Sequence, residues 1–392
     1  MTRSSTRNIK LLLSAVATLL LGVDGFRSMR NQMSKIQSLQ SGRLEAAPFL
    51  DDVACGNKAS NGMDRRQALI SSGITALSLG LGNLGTAMQA WAIQPNESPK
   101  TYLVTGCNSG IGFEATRIFA RQGNTIVMAC RTMEKAKEAA DKIKAETPGA
   151  NLIPAECDLA CLESVKKFVS DVNVDKLGSL DVVCYNAGLS LDTEGQIERT
   201  KDGFELTVGT NHFGHFYLHS LLLPKINQKS GRIVITASGV HDPDSPGGAQ
   251  GKTATLGNLE GLTRDGKSFE MVDGQAYNGD KAYKDSKLCN VFWCREMQRR
   301  LASSDATKGM TVNSFSPGLI TSTGLFRNQN PLFSSIFGVL ATNVIKVAES
   351  PQWGGAALVY MTSVDTRGEY YNSPPGSSKY VSWKDHWCES TD

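Results

Sequence analysis

Thr101-Tyr102-Leu103-Val104-Thr105-Gly106-Cys107-Asn108-Ser109-Gly110-Ile111-Gly112 is a short β-rich run that passes directly into a glycine-rich turn. A helical stretch, Phe113 to Arg121, follows at once. In that context each glycine has a separate job. Gly106 permits the tight turn, Gly110 lets the backbone approach a pyrophosphate, and Gly112 lets helix pack on strand, with Ser109 and Ile111 flanking the helix N-terminus that faces the anion. Further strands are predicted at Gly123–Cys130, Asn151–Cys157, Leu180–Tyr185, Gly231–Ala237 and Met310–Phe315, with helices at Lys135–Glu146 and Tyr283–Leu301. Strands alternating with helices at this spacing predict an α/β fold, a Rossmann-type doubly wound parallel sheet in a single domain. Ligands of such sheets bind beyond the carboxyl ends of the strands. Asp158-Leu159, Asn186-Ala187-Gly188, Ser238 and Pro317-Gly318 all sit at such ends.

The second strand runs into Arg131, where an NAD-specific chain usually carries an acidic residue for the ribose hydroxyls. A guanidinium there suits a 2′-phosphate, so the expected cofactor is NADPH. Tyr283 and Lys287, in Tyr283-Lys284-Asp285-Ser286-Lys287, stand at i and i+4 on one helical face. A free tyrosine has a pKa of about 10, and a neighbouring ammonium is expected to lower it. With the Ser238 hydroxyl, the group is suited to holding a reacting oxygen or relaying a proton. His212, His215 and His219, spaced i, i+3, i+7, fall near one helical face but lack an evident fourth ligand; packing is expected of them, and no metal site. Trp353, Tyr360, Tyr370 and Tyr371 are expected in the core rather than in a binding pocket.

The 392 residues carry 41 basic and 38 acidic side chains and 38 glycines. This is ordinary globular composition, which excludes a collagen-like chain, a long disordered tail and a multi-span membrane protein. Residues 1–98 hold ten basic and six acidic side chains, so all the excess positive charge lies in a leader and the rest is close to neutral. Nothing in that balance predicts nucleic acid as a partner.

The leader divides into a basic start with an apolar run, Leu11 to Val23, which predicts a signal peptide over residues 1–25. Residues 26–62 have transit-peptide composition. Residues 63–98 hold Arg65-Arg66, an apolar stretch and Ala90-Trp91-Ala92, a twin-arginine-like leader or a membrane-associating segment. A signal peptide followed by a transit peptide resembles the import leaders of algal secondary plastids. The expected location is therefore the plastid, in the stroma or on the stromal face of the thylakoid membrane. The reductase domain is expected over 99–392, and nine scattered cysteines suit a reducing compartment.

The segments Thr105–Gly112, Asp158-Leu159, Asn186–Gly188, Asn211, Ser238, Tyr283/Lys287 and Pro317-Gly318 occur in order, and together they resemble the short-chain dehydrogenase/reductase family. The resemblance implies a tetrad of Asn211, Ser238, Tyr283 and Lys287, with Asn211 anchoring a water relay and Lys287 on the nicotinamide ribose. Tyr185 stands where the family often has a second Asn. Within the family, Asp202–Phe216, Leu256–Leu262, Lys281–Asn290 and Thr323–Arg327 are similar to the light-dependent protochlorophyllide oxidoreductases. That likeness implies a tetrapyrrole substrate. Hydride would pass from NADPH to C17 of the photoexcited ring and a proton to C18, with Tyr283 as donor or relay. Residues 239–282 match the position of an extra segment that helps enclose the pigment, a lid before the catalytic helix.

Two departures stand out. Leu319 follows Pro317-Gly318 where those relatives carry a Cys, and Trp383-Lys384-Asp385-His386-Trp387 with a polar tail replaces their C-terminal amphipathic helix. Cys289 is retained one turn beyond Tyr283 and is expected to act as a small packing residue. Peripheral association with the thylakoid and a homo-oligomer are compatible with this reading. The rival readings are a light-independent dehydrogenase of a retinoid- or carotenoid-like carbonyl or alcohol, and a non-catalytic NADPH-binding subunit at a plastid membrane.

Overall fold

The computed structural model describes residues 98–172, 177–191, 196–245, 247–263, 270–320, 349–372 and 381–382. The leader, Thr323–Arg327 and the Trp383–Trp387 tail lie outside them. All described residues fall within one compact unit. The elements are β1 (Thr101–Thr105), α1 (Gly110–Arg121), β2 (Thr125–Cys130), α2 (Met133–Glu146), β3 (Asn151–Glu156), α3 (Leu162–Asp171) and β4 (Val182–Tyr185). Then come α4 (Leu206–Val208), a π-helical turn (Gly209–Phe213), α5 (Gly214–Leu222), β5 (Arg232–Thr236), α6 (Gly279–Ala302), β6 (Thr311–Ser316), α7 (Pro351–Met361), β7 (Tyr370–Asn372) and β8 (Val381–Ser382).

The strands hydrogen-bond in the order β3-β2-β1-β4-β5-β6-β7-β8. All neighbouring pairs are parallel except β7 and β8, which are antiparallel. The chain works outward from β1 in one direction and then in the other, so β1 and β4 form the topological switch point, where a doubly wound sheet opens a crevice at its carboxyl edge. Period-two alternation covers both faces. Tyr102, Val104, Ile126, Met128, Val182 and Cys184 pack against α1, α2 and α7. Leu103, Val127, Val183, Tyr185, Ile233 and Ile235 pack against α3, α5 and α6.

The predicted boundaries shift where local chemistry overrides the apolar run. β2 begins at Thr125 because Gly123 turns the chain at φ 80° and the Asn124 amide bonds back to the Phe119 carbonyl at 3.1 Å. β4 begins at Val182, since Leu180 makes only an isolated bridge to Ile226. α6 starts four residues earlier than predicted, at Gly279, where Asn278 Oδ1 caps the Lys281 N–H at 2.8 Å. Trp353, Tyr370 and Tyr371 are buried and Tyr360 packs on the core, as expected. β7, built on Tyr370 and Tyr371, has too short a run to be read from sequence.

The segment before α6 is anchored by two buried lysines of that helix. Lys281 Nζ lies 2.6 Å from Asp285, 2.9 Å from Asp273 and 2.9 Å from the Thr255 carbonyl. Lys284 Nζ meets the carbonyls of Gln250 and Lys252 and the Asp280 carboxylate. Val272, Leu256 and Leu262 pack against Val208, Phe204 and Phe213, so the same segment also covers α4 and the π turn. Lys281→Met would strand two carboxylates in a buried site. It should cost about 3–5 kcal/mol of stability, read as a lowered midpoint in denaturant unfolding; a midpoint equal to wild type would show that this anchor is not structural.

Candidate active site

The glycine turn is shaped by what a side chain there would strike. Gly106 has φ 66°, and a Cβ on it would sit 2.8 Å from the Ala187 backbone. A Cβ on Gly112 would lie 2.4 Å from the Gly106 carbonyl oxygen and 2.6 Å from the Asn186 amide nitrogen. The turn, the start of α1 and the end of β4 are thus in close contact. Ser109 is the N-cap of α1 and its side chain does not cap; no acidic residue occupies the first turn. The first N–H groups of α1 and its positive dipole end therefore remain available to an anion. A pyrophosphate fits these groups.

One hydroxyl ties this turn to the rest of the site. Thr105 Oγ1, fully buried, accepts the N–H groups of Asn186 at 2.9 Å and Ala187 at 3.0 Å. It also contacts the Cys184 carbonyl at 3.3 Å and His215 Nε2 at 2.9 Å. The other ring nitrogen of His215 meets the Asn211 carbonyl at 3.0 Å, so Nδ1 carries the proton and Nε2 accepts from Thr105. Burial holds His215 neutral, with its pKa down to about 3. The Asn186 amide closes the same joint, donating to the Thr105 carbonyl at 3.1 Å and accepting from the Thr236 hydroxyl at 3.3 Å.

Asn211 lies buried in the π turn, a wider helical register that recurs at functional sites. Its side chain accepts the Leu189 N–H at 2.8 Å and donates to the Leu189 carbonyl at 2.9 Å and to Ser286 Oγ at 3.0 Å. A Cβ on Gly188 would meet Asn211 Oδ1 at 3.3 Å and Lys287 Nζ at 3.5 Å. Gly188, Asn211 and Lys287 therefore share one small space.

Tyr283 and Ser238 are joined by a side-chain hydrogen bond. The expected lowering of the phenol pKa is not found. Burial raises Tyr283 to about 12, outweighing the Ser238 bond that lowers it. Lys287 acts on the ring rather than on the hydroxyl: its Nζ lies 5.4 Å from the ring centroid and donates to the Thr236 carbonyl at 3.1 Å. Burial also brings Lys287 down to about 8. Side chains at i and i+4 share a face, but their different lengths carry the two polar tips apart. The result is a protonated phenol beside a cation that titrates just above neutrality.

The remaining predicted residues are distributed along the carboxyl edge. Arg131 is exposed immediately after β2. Asp158 Oδ1 accepts the Ala160 N–H at 3.1 Å, while buried Leu159 packs against α5, where a Cβ on Gly214 would lie 2.3 Å from the Leu159 carbonyl oxygen. Gly318 turns at φ 84° after Pro317, its N–H 3.4 Å from Ser316 Oγ. Leu319 is half-buried, and its carbonyl accepts the Glu349 N–H at 2.7 Å. Cys289 is half-buried with its thiol pushed up to about 12 by burial. The three histidines are structural neighbours of the site. His212 meets Asn290 Oδ1 at 3.0 Å, and His219 meets the Tyr185 hydroxyl at 3.1 Å.

Five residues that bond to the candidate site are not singled out by sequence: Thr105, Thr236, Ser286, Asn290 and Ser316. Ser286 and Asn290 carried a signal, since they lie three and seven residues beyond Tyr283 on one helical face. The threonines carried none, because a β-branched residue ending a strand is the commonest tenant there.

Residues 100–258 match the short chain dehydrogenase family. The fold agrees with solved structures at low identity. These include a short-chain dehydrogenase/reductase from Mycobacterium marinum (TM-score 0.53, 19% identity, 74% of this chain and 99% of that one). Another is L-sorbose reductase of Gluconobacter frateurii, solved with NADPH and L-sorbose (TM-score 0.52, 20% identity, 74% and 100%). Among curated relatives, protochlorophyllide reductase of Chlamydomonas reinhardtii is 36% identical over 288 residues, 71% of each chain. That of Cucumis sativus is 39% identical over 288 residues, again 71% of each. The chain belongs to the protochlorophyllide reductase family of short-chain dehydrogenases.

If the Thr105 hydroxyl is the joint described, Thr105→Val removes the acceptor of two N–H groups while keeping the shape. The expected cost is about 2–4 kcal/mol by thermal unfolding, most of it restored by Thr105→Ser. Equal stability of Val and Ser variants would contradict this account.

Proposed function

We propose that this protein reduces protochlorophyllide to chlorophyllide, using NADPH and light, in chlorophyll biosynthesis. The observation that carries the reading is the hydrogen-bonded Ser238–Tyr283 pair, set beside Lys287 and Asn211 at the carboxyl edge of a dinucleotide-type sheet. Bound NADPH supplies the hydride, and the pigment itself absorbs the light.

The chain's own residues have separable roles in this proposal. Gly106, Ser109, Gly110, Ile111 and Gly112 cradle the pyrophosphate with backbone N–H groups and the end of α1. Arg131, exposed at the surface, pairs with the 2′-phosphate. Asp158 and Leu159 flank the adenine side, and Asn186, Ala187 and Gly188 with Pro317 and Gly318 border the ribose and nicotinamide. Lys287 holds ribose hydroxyls and places its charge by the Tyr283 ring. Asn211, rigid between Leu189 and Ser286, orders a water near Lys287.

Tyr283 is the proton donor. A phenol with a pKa of about 12 is fully protonated at neutral pH, so the proton is present before each turnover. Ser238 directs that hydroxyl and shares its charge as the proton leaves. Leu319 has no proton to give at the position where relatives of this family carry a thiol. Of the two positions, Tyr283 alone retains acid chemistry, and Leu319 supplies an apolar wall for a flat macrocycle. The expected lid, residues 239–282, ends inside the first turn of α6, and the segment before that helix is fastened to it where Lys281 meets Thr255 and Asp273 and Lys284 meets Gln250 and Lys252. Plastid location, on the stromal side where reduced cofactor is available, suits the leader composition; peripheral membrane contact and a homo-oligomer are part of the same proposal.

The full chain with NADPH and protochlorophyllide should give the red-shifted chlorophyllide spectrum after a flash and none in the dark. Pigment that binds but does not convert would refute the reading, and dark turnover of a carbonyl substrate would favour a light-independent dehydrogenase. Tyr283→Phe should cut the yield per flash about 100-fold or more while pigment still binds; full activity would remove Tyr283 from the mechanism.

The Lys287 ammonium is charged below about 8 and neutral above it. Cofactor affinity in darkness should therefore fall as pH rises from about 7 to 9, and the Lys287→Arg variant, charged throughout, should lose that dependence. A flat wild-type profile would argue against the ribose contact.

A further inference from the structure

Two thiols meet under the glycine turn. Cys107, within the turn, and Cys130, the last residue of β2, are both almost completely buried, with their sulfurs 3.4 Å apart. They cross-connect the two segments assigned above to the pyrophosphate and, one residue on at Arg131, to the 2′-phosphate. The turn is already fastened to β2 next door, where the Gly106 N–H donates to the Ala129 carbonyl at 2.9 Å. Cys130 is also bound by the turn. The Cys107 thiol hydrogen-bonds to its sulfur, the backbone N–H groups of Cys107 and Asn108 point at it, and Lys135 adds positive charge. Together these hold the Cys130 thiol below its ordinary pKa against the cost of burial, whereas burial raises Cys107. The pair is thus one activated sulfur with a resolving neighbour in van der Waals contact, beside the partly and fully exposed Asn108 and Ser109.

We propose that Cys107 and Cys130 form a reversible disulfide on reaction with a hydroperoxide, and that the bond weakens cofactor binding at the glycine turn. This rests on the NADPH reading above. In the first step the Cys130 thiolate attacks the peroxide. An S–O bond forms, the O–O bond breaks, and the leaving oxygen departs as alcohol or water with a proton. In the second, the Cys107 sulfur attacks the resulting sulfenic sulfur. The S–S bond forms, the S–O bond breaks, and hydroxide leaves with the thiol proton as water. Two thiols have lost two electrons and two protons, and the hydroperoxide has become an alcohol and water. A dithiol reductant reverses the change by exchange.

The consequence for the cofactor is geometric. A disulfide sets its sulfurs about 2.05 Å apart, so the pair must close by roughly 1.3 Å. Cys130 is held in the sheet, paired with Glu156 of β3 and with its carbonyl accepting the Cys157 N–H at 2.6 Å. The turn moves instead, and it carries with it Gly106 and Ser109, which flank Cys107 and Asn108 and are placed above against the pyrophosphate. Misaligning about one charge-assisted hydrogen bond to a phosphate weakens binding roughly tenfold.

The test treats the full chain with hydrogen peroxide, removes the excess, blocks free thiols and maps peptides without reduction. A Cys107–Cys130 cross-link is expected. NADPH affinity, measured by nucleotide fluorescence in darkness, should fall roughly tenfold and return with dithiothreitol. Cys107→Ser and Cys130→Ser, tested separately, should each lose the cross-link and the response. The proposal fails if peroxide oxidises half-exposed Cys161 while Cys107 and Cys130 stay free, or if the bond forms and affinity does not change. If reduced wild-type protein binds no NADPH, the cofactor reading fails instead, while the peptide map still reports the bond itself.

Discussion

The Thr105 hydroxyl is the constraint on which the site depends. It ends β1, holds the two N–H groups that follow β4, and donates to His215, whose tautomer is fixed by the Asn211 carbonyl that its other nitrogen grips. A single buried oxygen therefore sets the separation of three chain segments that are far apart in sequence. All its partners are backbone groups or a histidine held neutral by burial, so the joint carries no net charge and needs no water. The glycine turn can then approach the end of β4 closely enough that no side chain fits between them.

Charge enters the site from one helix. α6 carries Tyr283 and Lys287 toward the sheet edge and Lys281 and Lys284 toward the segment that precedes it. The two outer lysines are neutralised by Asp273, Asp285 and Asp280, whereas Lys287 donates to a backbone carbonyl and lies over an aromatic ring, with no carboxylate paired to it among the described residues. That difference explains why Lys287 titrates near neutrality. The same burial keeps the Tyr283 phenol protonated. The environment thus separates the two groups by protonation, a phenol that stays protonated and a cation that stays close to its titration point.

Much of the site was legible in the chain. Tyr283 and Lys287 follow from helical spacing, Ser238 and Asn186–Gly188 from their places at strand ends, and the turn from its three glycines. What spacing misjudged was the polarity between them: an i, i+4 pair shares a face, yet the lysine tip passes over the ring and leaves the hydroxyl to Ser238. Thr236 and Thr105 were illegible, because their function lies in which carbonyls and N–H groups a neighbouring strand presents to them.

The amino-acid order alone determined the class of fold, the glycine turn and the helix that sets Tyr283 beside Lys287, since each is written in local periodicity and steric need: alternation on strands, glycine where φ is positive, four-residue spacing on a helix. Only the tertiary structure decided the electrostatics. The loaded phenol, the lowered lysine, the neutral His215 and the contact of Cys107 with Cys130 all come from burial and from juxtaposition across strands. Neither leaves a mark in local sequence, because desolvation is a property of everything packed around a group rather than of its neighbours in the chain.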